Sequence, residues 1–166
     1  MKKNSFIVRY RAFFLVAVLF SAVLLSCKED DDDLVKPKTI TDVILTNEQF
    51  SILREIILSA GMGDALRAGE VTLFAPDNAA FQRAGMTAGS IPQASALNFV
   101  QNHMVGKRYE FSKLPMGKLE SLNKKNLIQI AKTADSTITV NGSEIVTKNV
   151  NADNGIIQVI DSVLVR

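Results

Sequence analysis

The chain is poor in the side chains on which many activities depend: of its 166 residues one is Cys, one is His, none is Trp, and two are Tyr. A solitary Cys excludes an internal disulfide framework and any zinc site built from several cysteines. A solitary His leaves one imidazole for acid–base work, and no Gly-x-Ser-x-Gly elbow accompanies it. Dinucleotide and phosphate-cradling glycine motifs are missing too, since Gly61-Met62-Gly63 follows a predicted helix rather than a strand. No cofactor is implied. Nor is there an excess of one charge: 19 Lys and Arg face 17 Asp and Glu, and four of the basic residues (Lys2, Lys3, Arg9, Arg11) lie in the first 26 positions. Without those positions 15 basic side chains face 17 acidic ones, so nothing favours nucleic acid as a partner.

What the chain does have begins at its N-terminus. A basic start is followed by 14 uncharged, mostly apolar residues from Ala12 to Leu25, then by small Ser26 and the only cysteine, Cys27. This is the order of an export signal, and a membrane-spanning helix would need ~20 residues. Leu24-Leu25-Ser26-Cys27 resembles the bacterial lipobox, which implies cleavage after residue 26 and lipidation of Cys27. With ~0.8 kcal/mol for each buried acyl CH2, two or more chains anchor a protein stably without spanning. Residues 27–38 then read as a lipidated cysteine and an acidic tether, in which Glu29 to Asp33 repel one another and keep the segment extended. The Lys-Glu-Asp run after Cys27 resembles the signal that sends Bacteroidota lipoproteins to the outer face of the outer membrane. The expected location is therefore the outer membrane, facing the exterior.

Residues 39–166 read as one α+β domain. Thr46-Asn47-Glu48-Gln49 fits a capping box, and Phe50, Leu53, Ile56, Ile57 and Ala60 predict a helix over 48–60, ended by Gly61. Val71 to Ala75 predicts a strand, Asp77 caps a helical turn through Ala84, and Ser90 to Gln93 opens a helix with Leu97, Val100 and Met104 on one side. Short strands are then expected at Tyr109–Phe111, Leu119–Leu122 and Leu127–Ala131. Thr137–Val140, the Asn141-Gly142 turn and Ser143–Thr147 form the clearest hairpin. Ile156–Ile160 predicts a strand covered on both faces, with Val163–Val165 pairing nearby.

Val71-Thr72-Leu73-Phe74-Ala75-Pro76-Asp77-Asn78-Ala79-Ala80-Phe81 and Asn151-Ala152-Asp153-Asn154-Gly155-Ile156-Ile157-Gln158-Val159-Ile160-Asp161 resemble the two signature blocks of the fasciclin (FAS1) domain. Between them Asn102-His103-Met104-Val105-Gly106-Lys107-Arg108-Tyr109 resembles the family's central Tyr-His segment, with Asn102 in place of the Tyr. The resemblance implies a wedge-shaped β-sandwich with helices packed around it, and an extracellular binding module without catalytic activity. In animal members an integrin-binding sequence precedes the second block. Here that stretch is Thr147–Asn151, and Asn149 replaces the acidic residue of the motif.

The remaining candidates for chemistry are few. His103 falls late in a predicted helix beside Met104 and is assigned a structural, packed role. Asn149-x-Asn151-x-Asp153 has a calcium-like spacing, but Gly155 comes one place late and Ile160 stands where the terminal Glu is required, so no metal site is expected. Asn141-Gly142-Ser143 matches the N-glycosylation pattern but reads first as a turn; Asp135-Ser136-Thr137 and Asp161-Ser162-Val163 resemble the Bacteroidota O-glycosylation motif. The aromatics of the domain are Phe50, Phe74, Phe81, Phe99, Tyr109 and Phe111. The phenylalanines fit core positions, leaving only Tyr109 to offer an exposed ring. The expected function is a non-enzymatic surface binding or adhesion module whose partner is a protein or glycan of the cell envelope. The alternative is an accessory lipoprotein subunit of an outer-membrane nutrient-uptake complex, and a hydrolase built on His103 ranks third.

Overall fold

The computed structural model describes residues 38–67 and 69–164. The leader, Cys27 and the acidic run lie outside these residues.

The first element corrects an expectation. Thr39 and Asp42, not Thr46 and Gln49, form the capping box, which opens helix α1 over Ile40–Thr46. The Asp42 carboxylate accepts from the Thr39 amide at 2.9 Å and from Arg67 at 2.9 Å. Thr46 is the last residue of α1, its hydroxyl turned back to the Asp42 carbonyl. Asn47 then caps a 3-10 turn, Glu48–Phe50, because its short side chain reaches the Gln49 amide at 3.1 Å. That turn runs into α2, Ser51–Ser59, which buries Leu53, Ile56 and Ile57. Gly61 ends it at φ +65°, a left-handed conformation that glycine adopts without strain.

Strand β1 spans Val71–Pro76, and Asp77 caps α3, Asn78–Arg83, by accepting from the Ala80 amide at 2.7 Å. Helix α4, Gln93–Asn102, buries Ala96, Phe99 and Val100. Of the expected stripe Val100 and Met104 are buried, but Leu97 is exposed, and Met104 belongs to a two-residue strand, β2, Met104–Val105. Tyr109–Phe111 forms no strand but leads into a 3-10 turn at Phe111–Lys113. Strands β3 (Gly117–Glu120), β4 (Leu127–Lys132), β5 (Ile138–Val140), β6 (Ser143–Ala152) and β7 (Gly155–Ile160) follow. The β3 segment lies two residues earlier than expected. Val163 and Leu164 join no strand, and Val165 lies outside the described residues.

The sheet order is β2-β1-β7-β6-β5-β4-β3. Only β1 and β7 run parallel, and both are buried at every position, as central strands covered on two faces should be. Their approach is close: a Cβ on Gly155 would overlap the Val71 carbonyl oxygen and stand 2.7 Å from Ile40 Cδ1. The Asn141-Gly142 turn has positive φ at both residues (51° and 88°), which matches the twist of the flanking strands. Beyond it β6 is twice the expected length, since irregularities between Ile145 and Val150 break the alternation by which strands are read. By pairing β5 at its start and β7 along its length, β6 belongs to both halves of the sheet.

Two cores result. One packs the helices, through Phe50, Leu53, Ile57, Phe81 and Val100, onto Leu73, Ile157 and Val159. The other lies between the sheet halves and joins Phe74 and Ile160 to Ile128, Ile130, Val140 and Ile145. This is an α+β sandwich. The turn after β3 also meets the other end strand, β2, at one point, where the Leu122 amide donates to the Met104 carbonyl at 2.8 Å.

Candidate functional site

His103 sits directly after α4 and is fully buried. Its Nδ1 lies 2.8 Å from the Phe99 carbonyl oxygen, and its Nε2 accepts from the Leu164 amide at 3.0 Å. Because one partner can only accept and the other can only donate, the ring is held as the Nδ1-protonated neutral tautomer. The Phe99 ring lies against it, centroids 4.5 Å apart. Burial drives its pKa down to about 4, opposed in part by the bond to Phe99. Both nitrogens are therefore committed to backbone. Asn102 beside it points elsewhere, its Oδ1 accepting from Asn123 and Asn126 at 2.8 and 2.7 Å and so tying the β3–β4 connection to α4.

A second constellation surrounds Thr147–Asn151. Gln158, fully buried in β7, accepts from the Asn149 amide at 3.0 Å and donates to Asn149 Oδ1 at 2.9 Å and to the Tyr109 carbonyl at 3.2 Å. Asn149 adopts φ +57° and takes a further bond from the Phe111 amide at 2.8 Å. Arg108 reaches the carbonyls of Ala152 and Gly155 and the Asn151 side chain. Segment 108–111 is thereby laced onto the β6–β7 hairpin. The oxygens of Asn149 and Asn151 are spent on these bonds, and among the described residues no group of three or more His, Cys, Asp or Glu side chains could hold a metal ion.

Tyr109 is half-buried rather than freely exposed, with Lys107 Nζ 5.5 Å from its ring centroid. Phe111 packs against the second core but is only half-buried, with Lys148 Nζ 4.1 Å from its ring centroid. Beside Tyr109 an open groove of about 320 Å³ runs between Val105–Lys107 and Leu119–Leu122, with Lys124 at its rim. No sequence motif marked this groove.

The motifs that suggested glycans are engaged in turns. Asn141 Oδ1 accepts from the Gln129 amide at 2.7 Å, and Asp135 takes hydrogen bonds from Thr133 and Thr137, which hold its carboxyl below the usual range. Asp161 accepts from the Glu144 amide and from Ser162.

The family model described as the fasciclin domain matches residues 48–166. The chain belongs to this family. Fasciclin domains are generally non-enzymatic adhesion or binding modules. Among relatives, protein sll1483 of Synechocystis sp. is 31% identical over 134 residues, covering 76% of this chain and 72% of that protein. The transforming growth factor-beta-induced protein ig-h3 of Sus scrofa is 32% identical over 133 residues, 76% of this chain but 19% of that one. The fold is similar to that of a FAS1 domain pair from the insect cell adhesion molecule fasciclin I, with a TM-score of 0.65 and 18% identity, covering 78% of this chain and 51% of that one. In this fasciclin domain the central segment has been divided between tasks: Asn102 fastens a turn, His103 fastens the segment at Leu164, and Arg108 fastens the β6–β7 hairpin.

Proposed function

We propose that this protein is a non-enzymatic binding and adhesion module held at the outer membrane by lipid on Cys27, facing the cell exterior, with a protein or glycan of the envelope as partner. Membership of the fasciclin family carries the reading. The order of basic start, apolar run, Ser26 and Cys27 supports the anchor. His103 takes a structural role in this reading, because an imidazole with both nitrogens bonded to backbone in a closed core is poorly placed to exchange protons with a substrate.

Fatty-acid labelling and cross-linking on intact cells test the proposal together. The wild-type chain is expected to take up label, Cys27→Ala to take up none, and the wild type to cross-link to an envelope component from outside. An unlabelled wild type removes the anchor from the account. Stoichiometric recovery with a transporter would replace the adhesion module by an uptake-complex subunit.

A further inference from the structure

The two ends of the sheet start to close on each other and then part. Just past β3 the Ser121 amide bonds to Asn126, toward β4, whereas the Leu122 amide bonds to Met104, in β2. Because backbone groups alternate in direction along a strand, Glu120 and Lys118 turn theirs to the same side as Leu122. On the other side the His103 carbonyl accepts from Phe74 in β1 and the Met104 carbonyl from Leu122, and continuing the alternation past the end of β2 would turn Gly106 to the same side as Met104. Continuing the antiparallel register from Met104 and Leu122 would pair Gly106 with Glu120. Among the described residues no backbone hydrogen bond joins them. The groove of about 320 Å³ lies at this place.

From the spacings of strands and sheets, one residue of extended chain fills roughly 3.3 by 4.8 by 10 Å, so the groove has room for about two. Its walls are apolar at Val105, Leu119 and Leu122. Lys107 and Lys124 line it and are exposed, and neither they nor Lys118, exposed two residues before Glu120 on β3, take part in an ion pair among the described residues; Glu120 is the one acidic side chain in the lining. A second copy of the chain would bring the same lysines against these, which disfavours self-pairing. An acidic strand would meet complementary charge.

We propose that the seam between β2 and β3 receives an extended, acidic segment of a partner protein by strand addition, main-chain hydrogen bonds forming to Gly106 and Glu120 while the lysines select its charge. The inference rests on the reading of the protein as a binding module and names the face that binds. Gly106 has a specific part in it: a Cβ there would stand 3.2 Å from Leu122 Cδ2, so a larger side chain would crowd the seam.

The test uses the full chain and three blocked eight-residue peptides: alternating Glu and Val, alternating Lys and Val, and the acidic peptide N-methylated at alternate residues. Fluorescence anisotropy is expected to show the acidic peptide binding at least tenfold tighter than the other two, with slowed amide exchange at Gly106 and Glu120. Lys107→Glu combined with Lys124→Glu, both at exposed positions, should reverse the charge preference while the domain stays folded by circular dichroism, and Gly106→Val should weaken binding tenfold or more. No binding of the acidic peptide, equal binding of the basic one, or binding that survives N-methylation overturns the proposal. If the reversed-lysine variant still supports adhesion to envelope material as the wild type does, the seam is not the binding face, while the reading as a binding module stands.

Discussion

At the scale of single residues, His103 makes the sharpest physical statement. Its pKa lies near 4 in the folded chain and 6.5 in a free side chain, so the unfolded state binds the extra proton. The stability contributed by the neutral ring is complete above about pH 6.5 and is lost as pH falls through the folded value. Two and a half units correspond to about 3 kcal/mol at the acid limit. Asp42 and Asp135, also held below the usual carboxyl value of 3.8, contribute stability that is lost only at still lower pH, leaving the interval from 6.5 to 4.5 to the imidazole. Denaturant titrations at pH 7 and pH 4.5 are expected to show this loss in the wild type. In His103→Ala, stability at pH 7 should be lower by about 1–4 kcal/mol, because a buried ring is removed and the Leu164 amide loses its acceptor, and most of the acid dependence should vanish. A variant as stable as the wild type at pH 7 would show that the ring is not a packing residue.

The same scale shows what could be read in advance. Burial of His103 followed from its place on an apolar helix end. Its partner Leu164 did not, because that bond joins residues 61 apart and the sequence there suggested a strand. The half-burial of Tyr109 and Phe111 is not legible in their own segment, because both rings pack against a core built from strands distant in sequence, with Lys107 and Lys148 over their outer faces.

At the scale of elements, strongly local chemistry was legible and cross-strand geometry was not. β1, β7 and the Asn141-Gly142 hairpin stand where apolar runs and turn residues put them. Helix α1 was missed because seven residues rich in β-branched side chains resemble a strand, although Thr39 and Asp42 carry its capping signal. The full length of β6 is hidden by two irregularities, the second of which, between Thr147 and Val150, lies opposite Gln158, an isolated polar residue in an apolar run that bonds the Asn149 amide. Its role gives an element-level prediction. Gln158→Leu leaves the Asn149 amide and the Tyr109 carbonyl without their partner and should destabilise the domain by ~1–3 kcal/mol. The irregular part of β6 and segment 108–111 should loosen together, visible as faster amide exchange at Asn149 and Phe111 than at residues of β4. Uniform change across the sheet would mean that Gln158 is an ordinary core residue.

At the scale of the whole molecule, two cores on either side of β1 and β7 pack the described residues into one domain whose chemistry is otherwise sparse. The groove at the sheet's ends is illegible in the sequence, since β2 and β3, consecutive in the chain, are brought together only as the opposite ends of the sheet order, where they cease to pair. Family blocks, by contrast, could be read directly, because they coincide with the buried central strands. In the proposed function a lipid-held fasciclin domain binds at the cell surface without turning anything over. The most direct measurement is adherence to surfaces coated with envelope fractions, compared among wild-type cells, a deletion strain, and deletion strains carrying Cys27→Ala or His103→Gln. Adherence should fall to background in the deletion strain and with Cys27→Ala, and should persist with His103→Gln at whatever level of folded protein that variant reaches. Equal adherence in all four, or adherence abolished by His103→Gln while the folded protein remains on the surface, would contradict the account.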